Sequence, residues 1–127
     1  MDEFDIPIFR KSYDLYKTLH SWRSTVSKFD RYTLWQRIES LTLAIIERLV
    51  MASQRRGHAK QQPLQEASAQ LTVLRFLVRL SRDTKIIDLK KYAHLQLVID
   101  ELGRMLGGWL RSLPAANSEP SSSPPNT

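Results

Sequence analysis

The side chains in this chain best suited to chemistry are guanidinium groups. The run Leu74-Arg75-Phe76-Leu77-Val78-Arg79-Leu80 sets two arginines four residues apart among apolar neighbours, and Arg82 follows three residues later. On a helix turning 100° per residue the three fall within about 60° of one another. Thr72 and Ser68 carry the stripe backward, with no acid in it. Like charges at i,i+4 cost a few tenths of a kcal/mol, so such a stripe needs a negative partner. Phosphate is one candidate, since a guanidinium fork binds its oxygens bidentately. Carboxylates on adjacent helices are the other, with Glu39, Glu47, Asp100 and Glu101 within the chain. Arg104 stands four residues after Asp100 and reads as its intrahelical partner.

Three further groups of cations sit at expected helix ends. Arg55, Arg56, His58 and Lys60 follow the second helix, Arg82 and Lys85 follow the third, and Lys90-Lys91 open the fourth. Each group alone reads first as a solvated helix end and second as a phosphate contact. Catalytic constellations fail on spacing. A di-metal carboxylate bundle needs Glu-x-x-His on inward faces, yet Glu39, Glu47, Glu66 and Glu101 are followed at that distance by Thr42, Val50, Ala69 and Arg104. His20, His58 and His94 are scattered, and neither a glycine-rich phosphate loop nor a G-x-S-x-G elbow occurs. The expectation is a binding protein that is not an enzyme and uses no cofactor or metal.

The charge balance has the same direction. The formal net charge is +6, but Asp2, Glu3, Asp5 and Glu119 lie at the two ends. Residues 6 to 113 hold all 19 Lys and Arg against nine of the 13 acids, a net of +10. Such a field attracts polyanions; colloidal solubility is the plainer explanation. With no cysteine, neither a disulfide nor a thiolate metal site exists. The longest apolar stretch, Leu41 to Met51, is broken by Glu47-Arg48 and is too short to span a bilayer. The acidic start is the reverse of a signal peptide, so a cytoplasmic protein is expected.

Four helices must position these groups. Pro7 suits a first helical position, and Ile8, Leu15, Leu19, Trp22 and Val26 recur at helical steps from it. Asp30 is the expected cap of a second helix running through Leu34, Ile38, Leu41, Ile45 and Leu49 to Arg56, where Gly57 offers a left-handed stop. Pro63 opens the third, with Leu64, Ala67, Leu71, Leu74 and Val78 on one stripe. Asp88 caps the fourth, with Tyr92, Leu95, Ile99, Leu102, Leu106 and Trp109 inward. Short connections at 27–30, 57–62 and 83–88 predict antiparallel neighbours, hence an all-α up-down-up-down four-helix bundle over residues 7–113. Residues 1–6 form an acidic segment, and the Pro- and Ser-rich residues 114–127 predict a disordered tail.

The helices carry more apolar surface than one bundle needs. In the second, the apolar arc from Ala44 through Leu41, Ile45 and Leu49 to Trp35, Ile46 and Val50 spans about 240°, against roughly 100° for a helix in an isolated bundle. The third adds Val73, Phe76, Leu77 and Leu80 to its stripe. A second copy of the chain is the simplest cover, which makes Trp35, Ile46, Val50, Phe76 and Leu80 the expected oligomer contacts. Gly103 and Gly107, one turn apart, would let another helix approach closely.

The Leu74–Leu80 run, followed by Ile99-Asp100-Glu101-Leu102-Gly103-Arg104-Met105-Leu106-Gly107-Gly108-Trp109-Leu110, resembles the accessory variability proteins of diversity-generating retroelements. These lie within a wider four-helix-bundle family that includes the rRNA intervening-sequence proteins. The resemblance is strongest over residues 71–111, looser over the first two helices and absent in the tail. It implies a homopentameric ring of four-helix protomers, a reverse transcriptase as partner, and association with template RNA or its cDNA. It makes Arg75, Arg79 and Arg104 motif positions. The expected function is that of a non-catalytic adaptor binding the error-prone polymerase and its template through Arg55, Arg56, Lys60, Arg75, Arg79, Arg82, Lys85, Lys90, Lys91 and Arg104. An RNA-binding intervening-sequence protein and a purely structural oligomer are the alternatives.

Overall fold

The computed structural model describes residues 6–116. The acidic segment apart from Ile6, and the tail beyond Ala116, lie outside the described residues. Four long helices, α1 (Pro7–Trp22), α3 (Leu34–Ser53), α4 (Gln61–Asp83) and α5 (Leu89–Arg111), carry the chain, with a single turn α2 (Lys28–Arg31) in the first corner. Short 3-10 turns at Arg23–Thr25 and Gly57–Lys60 complete the elements, and no strand occurs among the described residues. Helix α3 packs on α4, α4 on α5, and α1 against both α3 and α5. The shared core is apolar, with Leu19, Ile38, Leu49, Leu64, Leu74, Leu95 and Ile99 almost wholly buried.

The helix starts and stops follow local chemistry. Pro7 is the first residue of α1. The Asp88 carboxylate accepts the Lys91 N–H at 2.8 Å, as its position predicted. Helix α3 stops at Ser53, three residues short of the expected Arg56, with Gln54 as a right-handed cap. Gly57 has φ 54°, the left-handed region that glycine enters without steric cost, but it opens the following 3-10 turn rather than ending the helix. The first corner differs from expectation. Ser27, not Asp30, is the capping residue: its Oγ accepts the Asp30 N–H at 3.3 Å and opens α2. Asp30 sits inside that turn, and α3 begins at Leu34. Helix α1 ends at Trp22, four residues before Val26, which is buried all the same.

Trp35 was expected on an outward arc, and the structure places it in the core with no exposed surface. Its indole N–H donates to the Leu19 carbonyl oxygen at 3.3 Å. That oxygen is free because the Arg23 N–H turns to His20 as α1 tightens into its 3-10 exit. Buried hydroxyls are satisfied locally: Ser12 donates to Phe9 O, Thr42 to Ile38 O and Ser81 to Val78 O. Glu39 is buried and receives a hydrogen bond from the Arg23 guanidinium at 2.5 Å. Arg23 also lies over the Tyr32 ring, 5.2 Å from its centroid, so one side chain ties the corner to α3. On the other side Lys11 of α1 meets Glu101 of α5 at 2.6 Å. The Lys11 contact, with Arg104 nearby, holds the Glu101 carboxyl below its ordinary value.

Candidate functional site

The arginine stripe of α4 faces α5, and its three members have different fates. Arg75 donates to Asp100 at 3.1 Å, both side chains being roughly two-fifths exposed. The carboxylate partner therefore holds for Arg75, and Asp100 is taken from Arg104. The expected Asp100–Arg104 pair gives way because the guanidinium of Arg75 reaches Asp100 across the α4–α5 seam. Arg104 is exposed, three residues after Glu101. Arg82 clasps Asp83 with Nε and Nη2, at 2.9 and 2.8 Å, and stacks over Tyr92 with its Cζ 4.6 Å from the ring centroid. Asp83 raises the Arg82 pKa further, so that charge is permanent. Arg79, between them, is exposed and has no side-chain partner among the described residues.

The helix-end cations divide into two groups. Lys91 donates to Thr25 Oγ1 at 3.2 Å and lies over the Trp22 ring at 5.1 Å, which joins the start of α5 to the first corner. Lys91 is thus a neighbour of the Arg23–Thr25 turn, while Arg82 and Lys85 end α4 and Lys90 begins α5. A groove of about 450 Å³ at the α4–α5 turn is lined by Arg82, Lys85 and Ile86 to Leu89. Lys85 and Lys90 are exposed and without side-chain partners among the described residues.

Arg55, Arg56 and Lys60 belong with the carboxyl end of α5. Lys60 is half-buried. Its ammonium donates to the Ala52 carbonyl at 2.9 Å and lies 5.8 Å from the Trp109 ring centroid, so it caps α3 and braces the α5 terminus. Arg56 is exposed and Arg55 half-buried. Sequence spacing could not anticipate Lys60, because an ammonium eight residues past Ala52 returns to it only after the chain has turned.

Lys85 also does structural work. It has φ 66°, and the turn closes with Ile86 N–H on Ser81 O at 2.8 Å and Lys85 N–H on Arg82 O at 3.0 Å. This is the Schellman pattern, whose left-handed position suits glycine. Lys85→Gly is expected to raise stability by up to about 1 kcal/mol, since a side chain costs roughly that much there. The same change should weaken any polyanion binding that uses the turn. Urea melts paired with a binding assay check both, and a destabilised variant would contradict the strain.

The apolar surplus also resolves unevenly. On α3, Trp35 is core, Val50 packs against the core and Ile46 is half-buried; Leu43 and Met51, outside that arc, are the exposed large apolar residues of the helix. On α4 the surplus stays outside: Val73 is 45%, Phe76 67% and Leu80 40% exposed. The space over Gly103 is met by Arg75 and Leu71 of the neighbouring helix α4, whereas that over Gly107 is met by Arg111 of α5 itself. Sequence reading passed over Phe29 and Tyr32, both exposed in the first corner, and Gln96, which lies one turn after Tyr92 on the same face of α5.

No group of His, Asp or Glu among the described residues is arranged to hold a metal ion, and no helix is long and apolar enough to cross a membrane. Fold and surface together define a class: a basic all-helical protein of four long helices whose charged residues line helix seams and turns. The model of the bAvd-like family matches residues 7–113, and the chain belongs to that family. Comparison with curated proteins and with solved structures gave no match.

Proposed function

We propose that this chain is the non-catalytic accessory protein of a diversity-generating retroelement, binding the error-prone reverse transcriptase and its template RNA or cDNA during mutagenic cDNA synthesis. Membership of the bAvd-like family supports the accessory role. The observation that carries nucleic-acid binding is the presence of exposed cations without side-chain partners on a body of net charge +10, Arg56, Arg79, Lys85 and Lys90 being four of those among the described residues. An unpaired cation keeps its full attraction for phosphate, whereas Arg75 and Lys60 are already committed within the fold.

The four long helices run up-down-up-down, and copies of the chain assemble into a ring through the Val73–Leu80 edge of α4 and the Ile46–Val50 side of α3. Phe76, an expected contact, is left out of that interface because it stands at a groove between α4 and α5. The resemblance to accessory variability proteins supports five copies. In a ring, each turn cluster repeats around a rim, and weak phosphate contacts combine into avidity. The protein acts in the cytoplasm.

The test is retention of the element's RNA across a salt series. Affinity is expected to fall linearly in log–log form as salt rises, because phosphate contacts release counterions. Replacing Arg79, Lys85 or Lys90 by glutamine should each lower the slope by about 0.7 to 0.9. A flat response to salt overturns nucleic-acid binding, and failure of the tagged polymerase to co-purify overturns the partnership.

A further inference from the structure

The seam between α4 and α5 contains a groove of about 270 Å³ lined by Thr72, Arg75, Phe76, Arg79, Tyr92 and Gln96. Its components differ from those of the basic turns. Phe76 stands at the groove edge with 67% of its surface exposed, an unusual setting for a phenyl ring. One turn away, Arg79 has no partner among the described residues, while its neighbours Arg75 and Arg82 are held by Asp100 and Asp83. Across the seam the Gln96 amide oxygen is buried and accepts no hydrogen bond. A buried acceptor without a donor is unfavourable, and here it lines the same groove as the free guanidinium and the bare ring.

We propose that this groove seats one unstacked nucleotide of a single-stranded polynucleotide, with its base against Phe76 and its phosphate on Arg79. The proposal rests on the nucleic-acid binding set out above and deepens it to a specific subsite. A base has an apolar π-face for Phe76 and an amino or imino N–H at its edge for the Gln96 oxygen. The adjoining phosphate supplies the charge that Arg79 lacks. A paired base could offer neither its face nor its hydrogen-bonding edge, so the groove selects single strands over duplex. A purely apolar occupant would leave Arg79 and Gln96 unmatched.

Fluorescence anisotropy with a labelled 15-nucleotide oligouridine, the same length of RNA duplex, and an abasic single strand tests this. Phe76→Ala is expected to weaken oligouridine binding about tenfold, as loss of one stacked base does. Duplex and abasic binding should not change, nor should the salt slope. Phe76→Trp should retain affinity, and Arg79→Gln should reduce the slope instead. Light scattering and circular dichroism of Phe76→Ala should match the parent protein. The subsite is overturned if Phe76→Ala leaves oligouridine affinity within twofold, weakens duplex binding equally, or lowers the oligomer's mass, which would mean that a second copy covers the ring. A parent protein that retains no RNA at all overturns nucleic-acid binding itself. One that retains RNA with Phe76→Ala indistinguishable overturns only the groove.

Discussion

Trp35→Ala should unfold this protein rather than dissociate it. The indole is wholly buried and holds the Leu19 carbonyl at the end of α1, so truncation removes core volume and strands a polar group together. Phe- or Trp-to-Ala changes in cores cost about 3–5 kcal/mol, and the unpaired carbonyl adds to that. Against a total stability of about 5–15 kcal/mol, the urea midpoint should fall by a large fraction. Protein that remains folded should keep the parent's mass in light scattering. A variant of normal stability and reduced mass would instead put Trp35 at a subunit contact and contradict its placement.

The second large effect is expected at the first corner. Arg23→Ala removes the donor to Glu39 Oε1 and leaves a buried carboxylate whose other oxygen, Oε2, already has no partner. Breaking a buried pair from one side costs about 3 kcal/mol or more, whereas replacing both charges by apolar groups is often neutral. Arg23→Ala should therefore lower the melting temperature strongly, and Arg23→Met with Glu39→Leu should recover most of the loss. If the double variant is as unstable as the single one, the deficit comes from the lost Arg23–Tyr32 stacking rather than the stranded charge. A single variant with unchanged stability would mean that Glu39 is solvated after all.

How much of this was legible beforehand depends on the range of each interaction. Pro7 and Asp88 were readable because helix ends obey rules reaching only three or four residues. Ser27 was passed over because Asp30, three residues on, is as good a cap by type; only the chain's actual turn shows which oxygen faces which N–H. The apolar stripes named the core correctly at Leu64, Leu74, Leu95 and Ile99. They could not say which edge of an over-wide arc would be covered. Trp35 went inward because α1 ends beside it with a spare carbonyl, a fact belonging to two helices at once.

For the candidate site, the sequence by itself determined the inventory: guanidinium groups at helical spacing, a body of net charge +10 and no catalytic spacing. Residue type and a periodicity of 3.6 are enough to put Arg75, Arg79 and Arg82 on one stripe. Only the tertiary structure decided their fates, giving Arg75 to Asp100, Arg82 to Asp83 and Tyr92, and leaving Arg79 without a partner among the described residues. It likewise turned Lys60 back onto Ala52 and set Gln96 opposite Phe76. The reason is physical: a charge's partner is whichever opposite group lies within a few ångströms, and Coulomb attraction at that range depends on the packing of helices distant in sequence.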